Sequence, residues 1–114
     1  MKIIFTVSLF FISFFASAQI REVKTTYPGG EVKEVFHVNT SGEKEGTYLF
    51  FFQNGRKQIE QNYKNGLKHG KSYLWFENGV VAEEAEYING IRTGILKSYD
   101  EQGNKLEEIR TAEK

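Results

Sequence analysis

The 114-residue chain carries 15 basic and 15 acidic residues, so its formal net charge is zero, and it has no cysteine. A chain near neutrality is a poor ligand for nucleic acid or an anionic bilayer, since both rest on clustered positive charge, and without cysteine there can be neither a disulfide nor a thiolate metal site. The length allows one domain at most, held together by packing alone.

In chain order, residues 1–18 read as an address and not as part of the fold. Lys2 gives a short positive start, residues 3–15 an apolar run, and Ala16-Ser17-Ala18 the small-residue pattern that a signal peptidase cuts after. The run is short of the ~20 apolar residues that a membrane-spanning helix needs. The expectation is a cleaved signal peptide over residues 1–18, a mature domain over residues 19–114 and export to the periplasm or beyond.

Residues 19–38 resemble a worn copy of the later repeats, with Tyr27-Pro28-Gly29-Gly30 at its turn and an exit, Asn39-Thr40-Ser41-Gly42, one residue too long. From Gly42 onward the chain repeats. Residues 63–70 (YKNGLKHG) return as residues 87–94 (YINGIRTG), and glycines align in three columns: Gly42, Gly66 and Gly90; Gly46, Gly70 and Gly94; Gly55, Gly79 and Gly103. Self-similarity at a fixed period is the mark of a repeat architecture.

Between the glycines lie runs such as residues 47–52 and 71–76, rich in aromatics and without helical spacing, which read as strands. The Asn-Gly steps 54–55, 65–66, 78–79 and 89–90 read as two-residue turns with positive φ at both centres. The predicted fold is therefore all-β, an elongated antiparallel up-and-down meander of stacked hairpins with about eight strands.

Two-residue turns fix the register, and register fixes which face each side chain joins. They set Phe52 opposite Lys57, Phe50 opposite Ile59, Tyr48 opposite Gln61, Tyr63 opposite Lys68 and Lys57 opposite Leu74. One face then holds Tyr48, Phe50, Phe52, Ile59, Tyr63, Leu74, Phe76, Val81, Ala85, Tyr87, Leu96 and Ile109, and reads as the core face. Gly70 and Gly94 fall on it near Tyr63 and Tyr87, where a missing side chain leaves room for a ring. The opposite face carries the column Phe51, Trp75 and Tyr99, flanked by Arg56, and beside it Glu60, Glu84 and Glu108, with Lys71 facing the first and Lys97 the last. The glutamates read as solvated ion pairs. The aligned aromatics, with Arg56 placed to stack on the Trp75 indole, make Phe51, Arg56, Trp75 and Tyr99 the candidate binding surface.

No catalytic, cofactor or metal constellation stands out. His37 and His69 are the only histidines and Asp100 the only aspartate, and no pair of histidines sits at ligand spacing. Gly66-x-x-x-Gly70 superficially matches a phosphate loop, but no helix follows to present its amino end.

The sequence Asn65-Gly66-x-x-x-Gly70, aromatics through Phe76, Asn78-Gly79, then Glu84 and Tyr87 resembles the bacterial variant of the MORN repeat, in the group labelled YwqK-type antitoxin. The resemblance runs from Gly42 to about Glu108. It implies stacked hairpins that bind proteins or, in eukaryotic relatives, membranes, and the antitoxin label implies neutralising a toxin by contact. Two departures bear on that: an exported chain cannot guard the cytoplasm, and the last copy carries Ser98 and Asp100 where earlier copies have aromatics, which predicts a polar cap. The expected function is a non-enzymatic protein-binding module of the cell envelope, immunity-like in the antitoxin sense. The alternative is a structural or self-associating protein, a homo-oligomer with no separate ligand.

Overall fold

The computed structural model describes residues 19–111, so the signal-peptide reading of residues 1–18 lies outside the described residues. Every element among them is a strand: β1 (Arg21–Thr26), β2 (Val32–Val38), β3 (Gly46–Phe51), β4 (Lys57–Lys64), β5 (Leu67–Lys68), β6 (Gly70–Trp75), β7 (Val81–Ile88), β8 (Ile91–Tyr99) and β9 (Lys105–Arg110). They form one antiparallel sheet in the order β1-β2-β3-β4-β6-β7-β8-β9, with β5 a short lead-in to β6 that pairs with β4. The sheet is open, and among the described residues neither face is covered by another layer. The predicted meander of stacked hairpins is the observed fold.

Phe50 faces Ile59, Tyr48 faces Gln61 and Tyr63 faces Lys68, as the turn argument requires. Two of the four Asn-Gly steps are nevertheless built differently from the expectation. At 65–66 and 89–90 both residues take positive φ (Asn65 50°, Gly66 79°, Asn89 48°, Gly90 83°), which is the two-residue turn. At 54–55 and 78–79 only the glycine does, at 89° in each. There Gly55 N donates to Phe52 O at 2.9 Å and Phe52 N to Arg56 O at 2.8 Å, and Phe76, Gly79 and Val80 repeat the pattern. This is a three-residue loop closed by a left-handed glycine. The loops at Tyr27–Glu31, Asn39–Glu43 and Asp100–Asn104 carry the same pair of bonds, so the long exit of the worn copy is this same turn.

The longer loop pairs Phe51, not Phe52, with Lys57, and a bulge beyond it absorbs the extra residue before Ile59. Register is restored from there on, which is why the predicted faces survive. Val81 is the exception: it pairs with Trp75 and belongs to the Trp75 face, not to the core face.

A second irregularity falls at Gly46, Gly70 and Gly94. Tyr63 faces Lys68, yet Ile59 faces Leu74 rather than Ser72, so the register slips by two residues between β5 and β6. Leu74 therefore does not face Lys57, and Glu60 faces Tyr73 while Lys71 faces Glu86. A slip of two keeps the alternation of side chains intact. Gly70 sits at the slip with φ of 101°, a backbone that side-chain-bearing residues rarely adopt. A Cβ at Gly70 would meet only Asn62 Cβ at 3.5 Å, and at Gly46 and Gly94 nothing within 4 Å. Backbone conformation, not room for a tyrosine ring, sets this column.

The predicted core face is the better covered of the two. Val38 and Ala85 are 7% exposed and Ser72 8%, and all three lie on it. No large side chain is fully buried among the described residues, as expected of a single layer. Phe36, Tyr48 and Tyr63 run across the strands with ring centroids 5.7 and 6.2 Å apart. Cross-strand pairs of this kind contribute roughly 0.2–1 kcal/mol each, so stability is spread over the repeats and not concentrated in one interior. β9 is exposed along its whole length, Leu106 and Ile109 as well as its charged residues.

Candidate functional site

Phe51, Trp75 and Tyr99 are the last residues of β3, β6 and β8. Each faces the first residue of the following long strand: Phe51 faces Lys57, Trp75 faces Val81 and Tyr99 faces Lys105. The fold thus brings the three aromatics into one column on one face, all half-buried. Tyr27 ties the first of them down, its hydroxyl donating to Phe51 O at 2.6 Å.

Arg56 is not where the two-residue turn would put it. It closes the three-residue loop, its carbonyl accepting the Phe52 N–H at 2.8 Å, and its Nη1 donates to Glu77 O of the next loop at 3.3 Å. The cation over the Trp75 ring is Lys57, whose Nζ sits 5.7 Å from the ring centroid and 3.3 Å from Glu60 Oε1. The other side of the patch is Tyr73, stacked along its own strand on Trp75 at 5.6 Å with the rings 28° apart. Arg56, Lys57, Trp75 and Gly79 together line a shallow hollow.

Lys57 and Tyr73 are the residues that the sequence reading missed. A signal for the lysine was present: Lys57-x-x-Glu60 recurs as Lys105-x-x-Glu108, where Nζ and Oε2 are 2.8 Å apart. Glu60 and Glu108 pair with lysines of their own strands; Lys71 faces Glu86 and not Glu60 as expected, whereas Lys97 does face Glu108, with Glu84 on its other side. Glu108 holds its carboxyl below the usual range through the hydrogen bond from Lys105, and Lys105 is raised by the same bond. Both are open to solvent, where such pairs add little.

The arrangement offers a rigid aromatic plate with a cation at its edge, suited to binding by stacking and burial. His69 is occupied as an acceptor, its Nδ1 receiving the Asn89 N–H at 3.3 Å, just as Glu45 Oε2 receives that of Asn65 at 2.8 Å one repeat earlier. Ser72, the nearest hydroxyl in the chain, faces Ala85 on the better-covered face. No group of three or more potential metal-ligating side chains gathers among the described residues.

On the opposite face Tyr48 donates to Glu34 Oε2 at 2.9 Å and Tyr63 to Gln61 Oε1 at 2.9 Å. Burial, then the bond to Glu34, pushes the Tyr48 hydroxyl up to about 12. Burial, then Tyr87, also raises that of Tyr63. Both are held as neutral phenols.

Residues 44–65 and 68–89 each match the family model described as MORN repeat variant. The two matched segments start one repeat apart, include the Asn-Gly steps 54–55 and 78–79, and end on Asn65 and Asn89. Repeats of this family are generally non-catalytic modules that bind proteins or membranes. Among curated proteins and among solved structures, none matches the chain.

Proposed function

We propose that this chain is a non-enzymatic module that binds another protein across its open sheet, with Trp75 at the centre of the contact and Phe51, Arg56 and Tyr99 around it. The observation that carries the reading is the column of half-buried aromatics set in repeat register on a face that, among the described residues, no other element covers. Trp and Arg are the residues most enriched among those that dominate interface energy. The signal-like start of the sequence supports a place in the cell envelope, where an immunity-like role means neutralising a toxin by direct contact.

A second reading, self-association, has its own observation. Leu67, Ile88 and Ile91 are 49%, 52% and 69% exposed at the two-residue-turn end of the sheet, an apolar edge that a second copy could cover.

Trp75→Ala separates the two. Under the first reading the variant loses a stoichiometric partner that the unaltered protein retains on purification from envelope fractions, with a stability loss of only about 1 kcal/mol because the indole is half-buried. A loss of ~3–5 kcal/mol would make Trp75 a packing residue instead. Recovery of a homo-oligomer alone, unaffected by the substitution, would favour self-association.

A further inference from the structure

On the face opposite Trp75, beside the two-residue turns, cations and apolar or aromatic side chains alternate strand by strand. Arg21 on β1 faces Val38 on β2, and Val38 bridges to Lys44 just ahead of β3. Tyr63 on β4 faces Lys68 on β5, and Tyr87 on β7 faces Arg92 on β8. Every second strand therefore presents one cation, and the backbones that carry neighbouring cations lie two strands, ~9.4–9.8 Å, apart.

The lysines are held by rings. Lys44 Nζ is 5.4, 4.6 and 5.1 Å from the centroids of Phe36, Tyr48 and Tyr63, and Lys68 Nζ is 4.9 Å from that of Tyr87. Aromatic quadrupoles position an ammonium but supply no net negative charge. Among the described residues none of Arg21, Lys44, Lys68 and Arg92 forms an ion pair, and Arg92 Nε is buried without a hydrogen-bond partner. The acids of this face stand elsewhere. Glu34 already accepts bonds from Thr25 and Tyr48, and Glu83 and Glu107 face Ser98 from either side, toward the three-residue loops.

We propose that this row binds an extended acidic segment of a protein, with a carboxylate at every third residue of a polyproline-II strand. Such a strand advances ~9.3 Å per three-residue turn, in step with the cations. A β-strand brings same-side residues round every ~6.7 Å, out of step with a two-strand repeat. Single-stranded nucleic acid needs open ring faces on which bases stack, and here the lysine ammonium groups lie over Tyr63 and Tyr87. The row lies on the other side of the sheet from Trp75, so it stands or falls separately from the contact proposed there.

The test titrates the purified protein with a peptide of four Glu-Pro-Pro triplets and with its Gln-Pro-Pro counterpart. The glutamate peptide should bind, weaken as salt rises from about 0.05 to about 0.3 M, and lose roughly three- to fivefold in affinity for each of Lys44→Gln and Lys68→Gln. Lys68→Arg should retain binding, and Trp75→Ala should leave it unchanged, with circular dichroism confirming that each variant is folded. Equal binding of both peptides, an unchanged affinity in folded Lys68→Gln, or an equal loss in Trp75→Ala would overturn the proposal. Tighter binding to oligothymidylate or to phosphatidylserine vesicles than to the glutamate peptide would overturn it too, in favour of those partners.

Discussion

At one end of the hairpins the Asn-Gly steps 65–66 and 89–90 place both residues in left-handed backbone, whereas at the other end the steps 54–55 and 78–79 do so for the glycine alone. The same dipeptide closes both ends. In the two-residue turns the asparagine is there because it tolerates positive φ. In the three-residue loops its side chain is what matters: Asn54 Oδ1 accepts the Arg56 N–H at 2.9 Å and Asn78 Oδ1 the Val80 N–H at 3.0 Å. A dipeptide motif thus specifies that the chain turns, while the number of residues inside the turn is settled by what the flanking strands can pair. The two-residue ends are also docked, since Gly66 N donates to Lys44 O and Gly90 N to Lys68 O of the preceding repeat.

The largest expected effect lies at the slip that feeds the two-residue end. Gly70→Val forces a β-branched residue to φ of 101° beside Asn62 and should cost toward the top of ~1–3 kcal/mol in denaturant unfolding. Gly66→Asn should cost far less, because asparagine accepts the turn and only the flexible end of Glu43, 3.2 Å from the new Cβ, must move. A larger loss at Gly66 would mean that the slip is not where the backbone is special.

A smaller difference sharpens the comparison of the two ends. Asn65→Ala must hold an alanine at φ of 50° and should cost about 1–2 kcal/mol. Asn54→Ala gives up one exposed hydrogen bond and should cost about 0.5–1 kcal/mol. Equal melting shifts would erase the distinction between the turns.

The smallest effect is a pH dependence confined to the three-residue end. Asp100 occupies the position of Phe52 and Phe76, and its Oδ1 accepts the N–H groups of Asn104 at 2.8 Å and Gln102 at 3.0 Å. The Asn104 backbone bond, foremost among these, holds its carboxyl below the ordinary 3.8. A depressed folded value means that the contribution is complete above the unfolded value and is lost as pH falls through the folded one. The amide resonances of Gln102 and Asn104 should therefore shift at pH below 3.8, while those of Asn65 and Gly66 follow no such Asp100 titration, and Asp100→Asn should abolish the step.

The faces were legible because their assignment depends only on parity. A loop one residue longer is undone by a one-residue bulge before Ile59, and the slip at Gly70 is two residues, so Tyr48, Phe50, Ile59, Tyr63, Leu74, Ala85 and Tyr87 share the face that two-residue turns would give them. Val81 was misplaced because it lies between its loop and its bulge, where parity is broken locally. The aromatic column was legible for the same reason, while the cation beside Trp75 was not. Arg56 and Lys57 are adjacent in the chain, and only the loop's extra residue sends the first to Glu77 and leaves the second over the indole.

By itself the sequence determined the repeat, the strands, the meander and the two faces, because each follows from local chemistry: glycine where backbone must turn or slip, and period-two alternation between. The tertiary structure alone decided which turns hold two residues and which three, and that the second glycine column serves a register slip. It also decided that cations from four alternate strands fall into one row. These depend on how one strand's hydrogen bonds meet the next, and residues two strands apart in the sheet come into line only once every intervening pair has been formed.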